Sequence, residues 1–315
     1  MTILLFQESD IACFAAKERH AARLRAAFPT AQVKFVPDEA TFLAELPQAE
    51  VALTWYWRQA WFAQAPKLRF IATPAAGHDF FQVTPPETVE IHHGAYHGEF
   101  MAESLLGMML AFERGILESQ RRQMRGELWP RTEIALPRSI RGTHAVFIGI
   151  GNVAQWCVAA LKPFGVRITG VCRHPEAARL PSVCTAEDRV VGMDELEAVL
   201  PTADHVILVL PNDTGTDRLL DARRFALLPR HAVVYNIGRG NAIDEGALAA
   251  ALRARALRGA CLDVFAEEPL TAASPLAENL PGLLRLAHIT AFDEQYIDRA
   301  TDEAIAWLKR RGCNG

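Results

Sequence analysis

Residues 144–288 carry a run of short apolar stretches separated by helical ones, and this rhythm admits one kind of fold. The stretches are "HAVFIGI" (144–150), "VRITGVC" (166–172), "HVILVL" (205–210), "HAVVYNI" (231–237), "ACLDVF" (260–265) and "LLRLAH" (283–288). Each is continuous rather than alternating, as a strand covered on both faces must be. Intervening segments such as "DEGALAAALRARAL" (244–257) read as helices. Strand–helix alternation implies a parallel, doubly wound sheet. The first third repeats the pattern with "TILLF" (2–6), "QVKFV" (32–36), "VALTW" (51–55) and "RFIAT" (69–73), and "CFAAKERHAARLRAAF" (13–28) makes a helix between the first two. The expected fold class is therefore α/β, with two doubly wound parallel-sheet domains.

Bulk properties narrow the function. The 315 residues suffice for two domains, and half of them are hydrophobic. A net charge of −4 gives no electrostatic case for nucleic acid or an anionic membrane as partner. The start, "MTILLFQESD", has no basic region of the signal-peptide kind. No apolar run reaches the roughly 18–20 residues of a spanning helix. The six cysteines are scattered with no C-x-x-C pair, so a reducing cytoplasm is the expected setting and a zinc site or disulfide framework is not. "MAESLLGMMLAFERGILESQRRQ" (101–123) reads as one long helix leading from the first domain to the second. The loop "GELWPRTEIALPRSIRG" (126–142) leads on to the strand at 144. The last helix (293–312) is expected to return to the first domain.

The strand at 144 runs into Gly149-x-Gly151-x-x-Ala154 and then a helix. Gly149 permits a tight turn, Gly151 lets the backbone approach a pyrophosphate, and Ala154 lets helix pack on strand. The helix N-terminus offers N–H groups and a positive dipole end to phosphates. Glycine pairs also occur in plain turns, but this one follows an apolar strand, opens a helix, and has a second strand ending some 20 residues on, as a dinucleotide site requires. At the end of that second strand, where an acid normally accepts ribose hydroxyls, stands Cys172, and Arg173 follows. Loss of a carboxylate and gain of a guanidinium favour a 2′-phosphate, by about 1.5–3 kcal/mol for one charge-assisted contact. NADP(H) is therefore the favoured cofactor over NAD(H). Glu176 is close enough to serve as a displaced ribose acceptor.

Three later strand ends bring further chemistry to the edge that carries the glycine turn. "YNIGRGNAIDEGAL" (235–248) brackets Arg239 with glycines, "CLDVFAEEPL" (261–270) places Glu267 and Glu268 before Pro269, and "LRLAHITAF" (284–292) ends its strand on His288. In open α/β sheets this carboxyl edge is where ligands bind.

The pieces "IGIGNVA", "LKPFGVRITGVCR", "VILVLPNDTGT", "NIGRGNAIDEGAL", "LDVFAEEPL" and "AHIT", in this order, resemble the D-isomer-specific 2-hydroxyacid dehydrogenase family, most of all its NADPH-dependent glyoxylate/hydroxypyruvate reductases. The resemblance covers most of the chain. It implies a flavodoxin-like substrate domain from 1–100 plus 293–315, a Rossmann dinucleotide-binding domain from 101–292, a cleft between them, and a homodimer built around the helix beginning near 101. It implies that Arg239 grips the substrate carboxylate and polarises its 2-oxo oxygen, that His288 is the acid/base, that Glu268 orients it, and that Asp263 meets the nicotinamide carboxamide. Asn152, Val153, His174, Pro211, Thr216 and Ile237 join Gly149, Gly151, Arg173, Arg239, Asp263 and His288 as the implied cofactor contacts. In "ATPAAGHDF" (72–80), the N–H groups of Ala76 and Gly77 are implied to bind the substrate carboxylate. The family's domain-joining loop matches the segment holding His92, His93 and His97, so no metal is expected there. Ala287 stands where the family has proline, and Thr290 and Ala291 where it commonly has glycine.

The implied chemistry is coherent in itself. Hydride transfer to a 2-oxo acid builds negative charge on the carbonyl oxygen, where a protonated histidine can deliver a proton and a nearby cation can stabilise the charge. In the aromatic stretch "LTWYWRQAW" (53–61), at least half of the rings Trp55, Tyr56, Trp57 and Trp61 are expected in the core and the rest, Trp55 first, to shape a substrate pocket, with Arg58 available to a second anionic group. A bulkier 2-oxo acid, a phosphorylated hydroxy acid, or a dinucleotide-sensing role of the corepressor kind are the alternatives.

Overall fold

The structure, a computed structural model, describes residues 1–77, 81–127 and 137–313. Part of the loop expected over 126–142, and the end of "ATPAAGHDF", lie outside the described residues. The chain divides into two compact units, Met1–His97 with Phe292–Gly315, and Gly98–Ala291.

In the first unit the chain order is β1 (Thr2–Phe6), α1 (Glu18–Ala27), β2 (Gln32–Phe35), α2 (Glu39–Glu45), β3 (Val51–Thr54), β4 (Phe70–Thr73) and β5 (Glu90–His93). All strands are parallel, in the order β2-β1-β3-β4-β5. This is the flavodoxin-like order. Asp38 starts α2 by accepting the Thr41 N–H at 2.7 Å. Leu4, Phe6, Ala52 and Ile71 from the strands meet Phe42, Trp57 and Trp61 in one core. "IHHGAYHGEF" is not a plain joining loop: His92 and His93 lie on β5, and His97 opens the next helix.

In the second unit α3 (His97–Glu113), whose first residue belongs to the first unit, is followed by α4 (Ile116–Met124), β6 (His144–Ile148), α5 (Asn152–Leu161), β7 (Arg167–Cys172) and β8 (Arg189–Gly192). Then come α6 (Leu196–Val199), β9 (His205–Leu208), α7 (Ala222–Leu227), β10 (Val233–Asn236), α8 (Glu245–Arg253), β11 (Gly259–Leu262) and β12 (Leu283–Arg285). The single helix expected over 101–123 is thus two helices. Gly115, at φ 70, takes the left-handed conformation and breaks them. The seven strands are parallel in the order β12-β11-β10-β9-β6-β7-β8. Alternate strand residues feed two cores: Val146, Ile148, Val206 and Val234 face one, Ala145, Phe147, Ile207 and Tyr235 the other. Strand order reverses between β6 and β9, and the loops after these two strands flank the crevice where doubly wound sheets bind ligands.

The chain closes with α9 (Tyr296–Arg310) in the first unit. Its inner face buries Ile297, Ala304, Trp307 and Leu308. Asp298 fixes it to α1 through Arg19 (2.8 Å) and Arg23 (2.6 Å). No helix among the described residues is long and apolar enough to cross a membrane.

Candidate active site

At the switch point of the second sheet, β6 is followed by Gly149, whose N–H bonds Val171 O of β7 at 2.9 Å. Gly149 has φ 95, and a Cβ there would lie 2.4 Å from Val209 O, so the fold itself demands glycine. Gly151 is different: a Cβ built on it meets nothing within 4 Å. No neighbour among the described residues requires this glycine, and the open space above it would admit close approach by a ligand. Behind it Ala154 is fully buried, and the N-cap of α5 is Gly151, which has no side chain with which to cap the helix. An open glycine cradle at a helix N-terminus fits a pyrophosphate. Val153 is half-buried beside it, and Ile237, at the end of β10, is 2% exposed.

Cys172 ends β7, and Arg173 is well exposed with its Nη1 3.0 Å from Asp213 Oδ2. Asp213 belongs to the loop after β9 and was not singled out from the sequence. That loop also contains exposed Pro211 and buried Thr216, whose hydroxyl donates to Asp213 O at 2.6 Å. His174 and Glu176 are exposed, and their nearest charged atoms are 3.5 Å apart.

Arg239 sits on a turn held from both sides. The buried Asn236 donates to Arg239 O at 2.9 Å and accepts the Gly238 N–H at 3.1 Å. A Cβ on Gly238 would fall 2.5 Å from Leu210 N, and one on Gly240 would fall 1.9 Å from Phe265 C. The arginine turn is therefore wedged between the loops after β9 and β11. The latter carries Glu268, whose Oε1 accepts the Phe265 N–H at 3.0 Å. Its Oε2 meets His288 Nδ1 at 2.8 Å. An ionised carboxylate only accepts, so Nδ1 carries the hydrogen and Nε2 is the nitrogen left to trade a proton. The pair is open, with side-chain exposures of 48% for His288 and 36% for Glu268, rather than the buried pair that such roles suggest. Glu267 is exposed and has no such contact among the described residues.

His288 has φ 56, a left-handed conformation uncommon outside glycine. Asp263 holds it there. Its carbonyl accepts the His288 N–H at 2.8 Å. Its carboxylate, 1% exposed, accepts Ile289 N–H at 2.7 Å, Thr290 N–H at 3.1 Å and the Thr290 hydroxyl at 2.5 Å. The positioning duties of Asn236, Asp263 and Thr290 cross tens of residues or depend on turn geometry, so no local pattern announces them. The departure at Thr290 was visible in the sequence; its bond to Asp263 was not.

In the first unit, Ala76 is exposed and Gly77 half-buried after β4, and neither N–H has a partner among the described residues. The aromatic stretch divides. Trp57 and Trp61 are core, at 4% and 3% exposure. Tyr56 donates to Glu39 Oε2 at 2.6 Å, and Arg58 donates to the same oxygen at 2.9 Å. Trp55 donates from Nε1 to Phe14 O at 2.8 Å and stacks on Tyr296. His92 stacks on Trp307 and lies 3.3 Å from Glu303, His93 packs edge-on against Phe81, and His97 Nε2 bonds the Tyr296 hydroxyl at 2.7 Å. Among the described residues no cluster of His, Cys, Asp or Glu is placed to hold a metal.

Residues 106–290 match the model of the D-isomer specific 2-hydroxyacid dehydrogenase NAD-binding domain. The chain is 32% identical over 208 residues to (S)-sulfolactate dehydrogenase of Chromohalobacter salexigens, covering 66% of this chain and 63% of that one. It thus spans less than two-thirds of that relative's length. It is 31% identical over 265 residues to glyoxylate/hydroxypyruvate reductase B of Pectobacterium carotovorum, covering 78% and 77% of the two chains. A D-isomer specific 2-hydroxyacid dehydrogenase from Xanthobacter autotrophicus, solved with NADPH and MES, superposes with a TM-score of 0.79 at 25% identity over 98% of this chain and 95% of that one. The glycine turn, the Arg239 turn and the His288–Glu268 pair thus stand in a chain that belongs to the D-isomer specific 2-hydroxyacid dehydrogenase family.

Proposed function

We propose that this chain reduces small 2-oxo acids of the glyoxylate and hydroxypyruvate kind to D-2-hydroxy acids, with NADPH preferred over NADH. The observation that carries this reading is the hydrogen bond between His288 Nδ1 and Glu268 beside the wedged Arg239 turn. A nicotinamide dinucleotide, when bound, would supply the hydride. Gly149, Gly151 and the start of α5 would hold its pyrophosphate, with Asn152, Val153, Pro211, Thr216 and Ile237 as further contacts. Arg239 binds the substrate carboxylate and stabilises the charge that grows on the 2-oxo oxygen. His288 gives that oxygen its proton from Nε2, while Glu268 orients the ring. Asp263 fixes the backbone that presents His288. Ala76 and Gly77 offer N–H groups to the substrate carboxylate, and Trp55, half-buried after β3, is the ring of its stretch we assign to a pocket wall. Arg58 is committed to Glu39, which speaks against a substrate with a second anionic group bound there.

Arg173, with Cys172 in place of an acid, supports the NADPH preference. Domain roles follow the same reading: residues 1–100 with 293–315 bind substrate, and 101–292 bind the dinucleotide. We propose a homodimer formed around α3 and α4. In support, α4 buries none of its residues and exposes Ile116 and Met124. The six free cysteines fit a reducing cytoplasm. The test is initial rates of glyoxylate and hydroxypyruvate reduction with NADPH and NADH, on the native chain and Arg173→Ala. A margin of about tenfold for NADPH that disappears in the variant is expected from one charge-assisted contact. Equal rates with NADH refute the preference, and no reduction of either acid refutes the substrate class.

A further inference from the structure

We propose that Asp213 is the residue that sets cofactor specificity: it takes the ribose hydroxyls in place of the acid missing at Cys172, and its charge opposes the 2′-phosphate that Arg173 attracts. The inference rests on the dinucleotide reading of the second unit. It begins from position. β9 and β7 flank β6 on opposite sides, yet the loop after β9 brings Asp213 Oδ2 to 3.0 Å from Arg173 Nη1. The pair therefore joins the two strand ends on either side of the strand that carries the glycine turn. In a doubly wound sheet this is where the adenosine end of a dinucleotide lies.

The carboxylate is set in place before any ligand arrives. Its Oδ1 accepts the Gly215 N–H at 2.8 Å and caps the turn Thr214–Thr216. Its backbone carbonyl accepts from the Thr216 hydroxyl at 2.6 Å and from Asn241 Nδ2 at 3.3 Å. Bonding to Gly215, and then the Arg173 charge, hold its carboxyl below the usual range, so it is ionised at neutral pH. Each carboxylate oxygen has a further lone pair with which to accept a ribose hydroxyl. Glu176, the acceptor suggested by the sequence, has its carboxylate 3.5 Å from His174, with no anchoring hydrogen bond to that carboxylate among the described residues.

The two halves of the pair favour different ligands. A ribose with free hydroxyls needs an acceptor, and Asp213 is one. A 2′-phosphate needs Arg173, but must share that guanidinium with Asp213 and sit beside a like charge. Arg173 alone would select strongly for the phosphate; beside Asp213 its selection is blunted.

The test is calorimetric binding of ADP-ribose and its 2′-phosphate, which report on the adenosine end without turnover. The proteins are the native chain, Asp213→Asn, Asp213→Ser and Arg173→Ala. Serine keeps an oxygen to cap the Gly215 N–H, so it controls for collapse of the turn. Both Asp213 variants are expected to shift the ratio of the two dissociation constants toward the 2′-phosphate by about tenfold, the scale of one charge-assisted interaction. ADP-ribose itself should weaken a few-fold. If both variants keep the native ratio within about threefold, Asp213 is not the determinant. If Arg173→Ala leaves the ratio unchanged while the Asp213 variants shift it, the role given to Arg173 fails and that of Asp213 as ribose acceptor stands. If the native chain binds neither ligand, the dinucleotide reading fails and the inference with it.

Discussion

Replacing Asp263 by asparagine should release the loop that presents His288. The carboxylate is buried and accepts three donors from residues 289 and 290. Asparagine matches its shape but turns one acceptor into a donor. If the amide nitrogen takes the Oδ1 place, it faces the Ile289 N–H. If it takes the Oδ2 place, it faces the Thr290 N–H, and only the hydroxyl can turn to accept. Either way a backbone N–H facing the buried side chain loses its partner, at about 1–3 kcal/mol, and the other bonds lose their charge assistance. The total is about 2–4 kcal/mol. Holding a non-glycine residue in a left-handed conformation costs about 1–3 kcal/mol, so the loss is large enough to let His288 leave φ 56. Thr290→Val removes one donor and keeps the charge, so it should cost less, about 1–2 kcal/mol. Urea unfolding and 2-oxo acid reduction, measured on both variants, check the ranking. Asp263→Asn should lose stability and turnover, and Thr290→Val less of each. An Asp263→Asn protein with native stability and a rate within twofold of native would refute the reasoning.

Other outcomes follow from the same geometry. Gly149→Ala forces a Cβ onto Val209 O at a positive φ and should unfold more easily by more than about 2 kcal/mol, whereas Gly151→Ala meets open space and should keep native stability to within about 0.5 kcal/mol while weakening dinucleotide binding. Thermal melts and calorimetry on the two variants separate these effects. Burial pushes His205 down to about 3 from 6.5 and lowers His144 as well. The unfolded chain therefore takes up those protons first, so the stability they contribute is present above about pH 6.5 and drains away as pH falls toward 3. The slope for His205 is about 1.4 kcal/mol per pH unit. Urea midpoints from pH 7 to pH 4.5, on the native chain and His205→Phe, should show the variant losing less on acidification; parallel curves would refute the assignment.

The covered strands and the glycine turn were legible because central strands of a parallel sheet must be continuously apolar. β5 and β8 were not. They are the edges of their sheets, and "EIHH" and "RVVG" are only partly buried, so they carry no apolar run. Gly115 hid in a helical pattern because helices tolerate single glycines; only the backbone angle reveals the break. Arg239, Glu268 and His288 could be brought to one edge by counting strand ends. What supports them could not. The partners of Asp263 come from 26 and 27 residues on. Asp213 meets Arg173 only because β6 lies between their strands. "LTWYWRQAW" could be expected to lie half in the core, but which of its rings do so was not legible: Trp57 and Trp61 are the buried ones.

The most direct test of the central claim is the rate of glyoxylate and hydroxypyruvate reduction by His288→Ala, with dinucleotide binding measured on the same protein. A general acid contributes about 10²–10⁴-fold. The account predicts a loss of that size with binding kept to within a few-fold. Reduction at the native rate would contradict it.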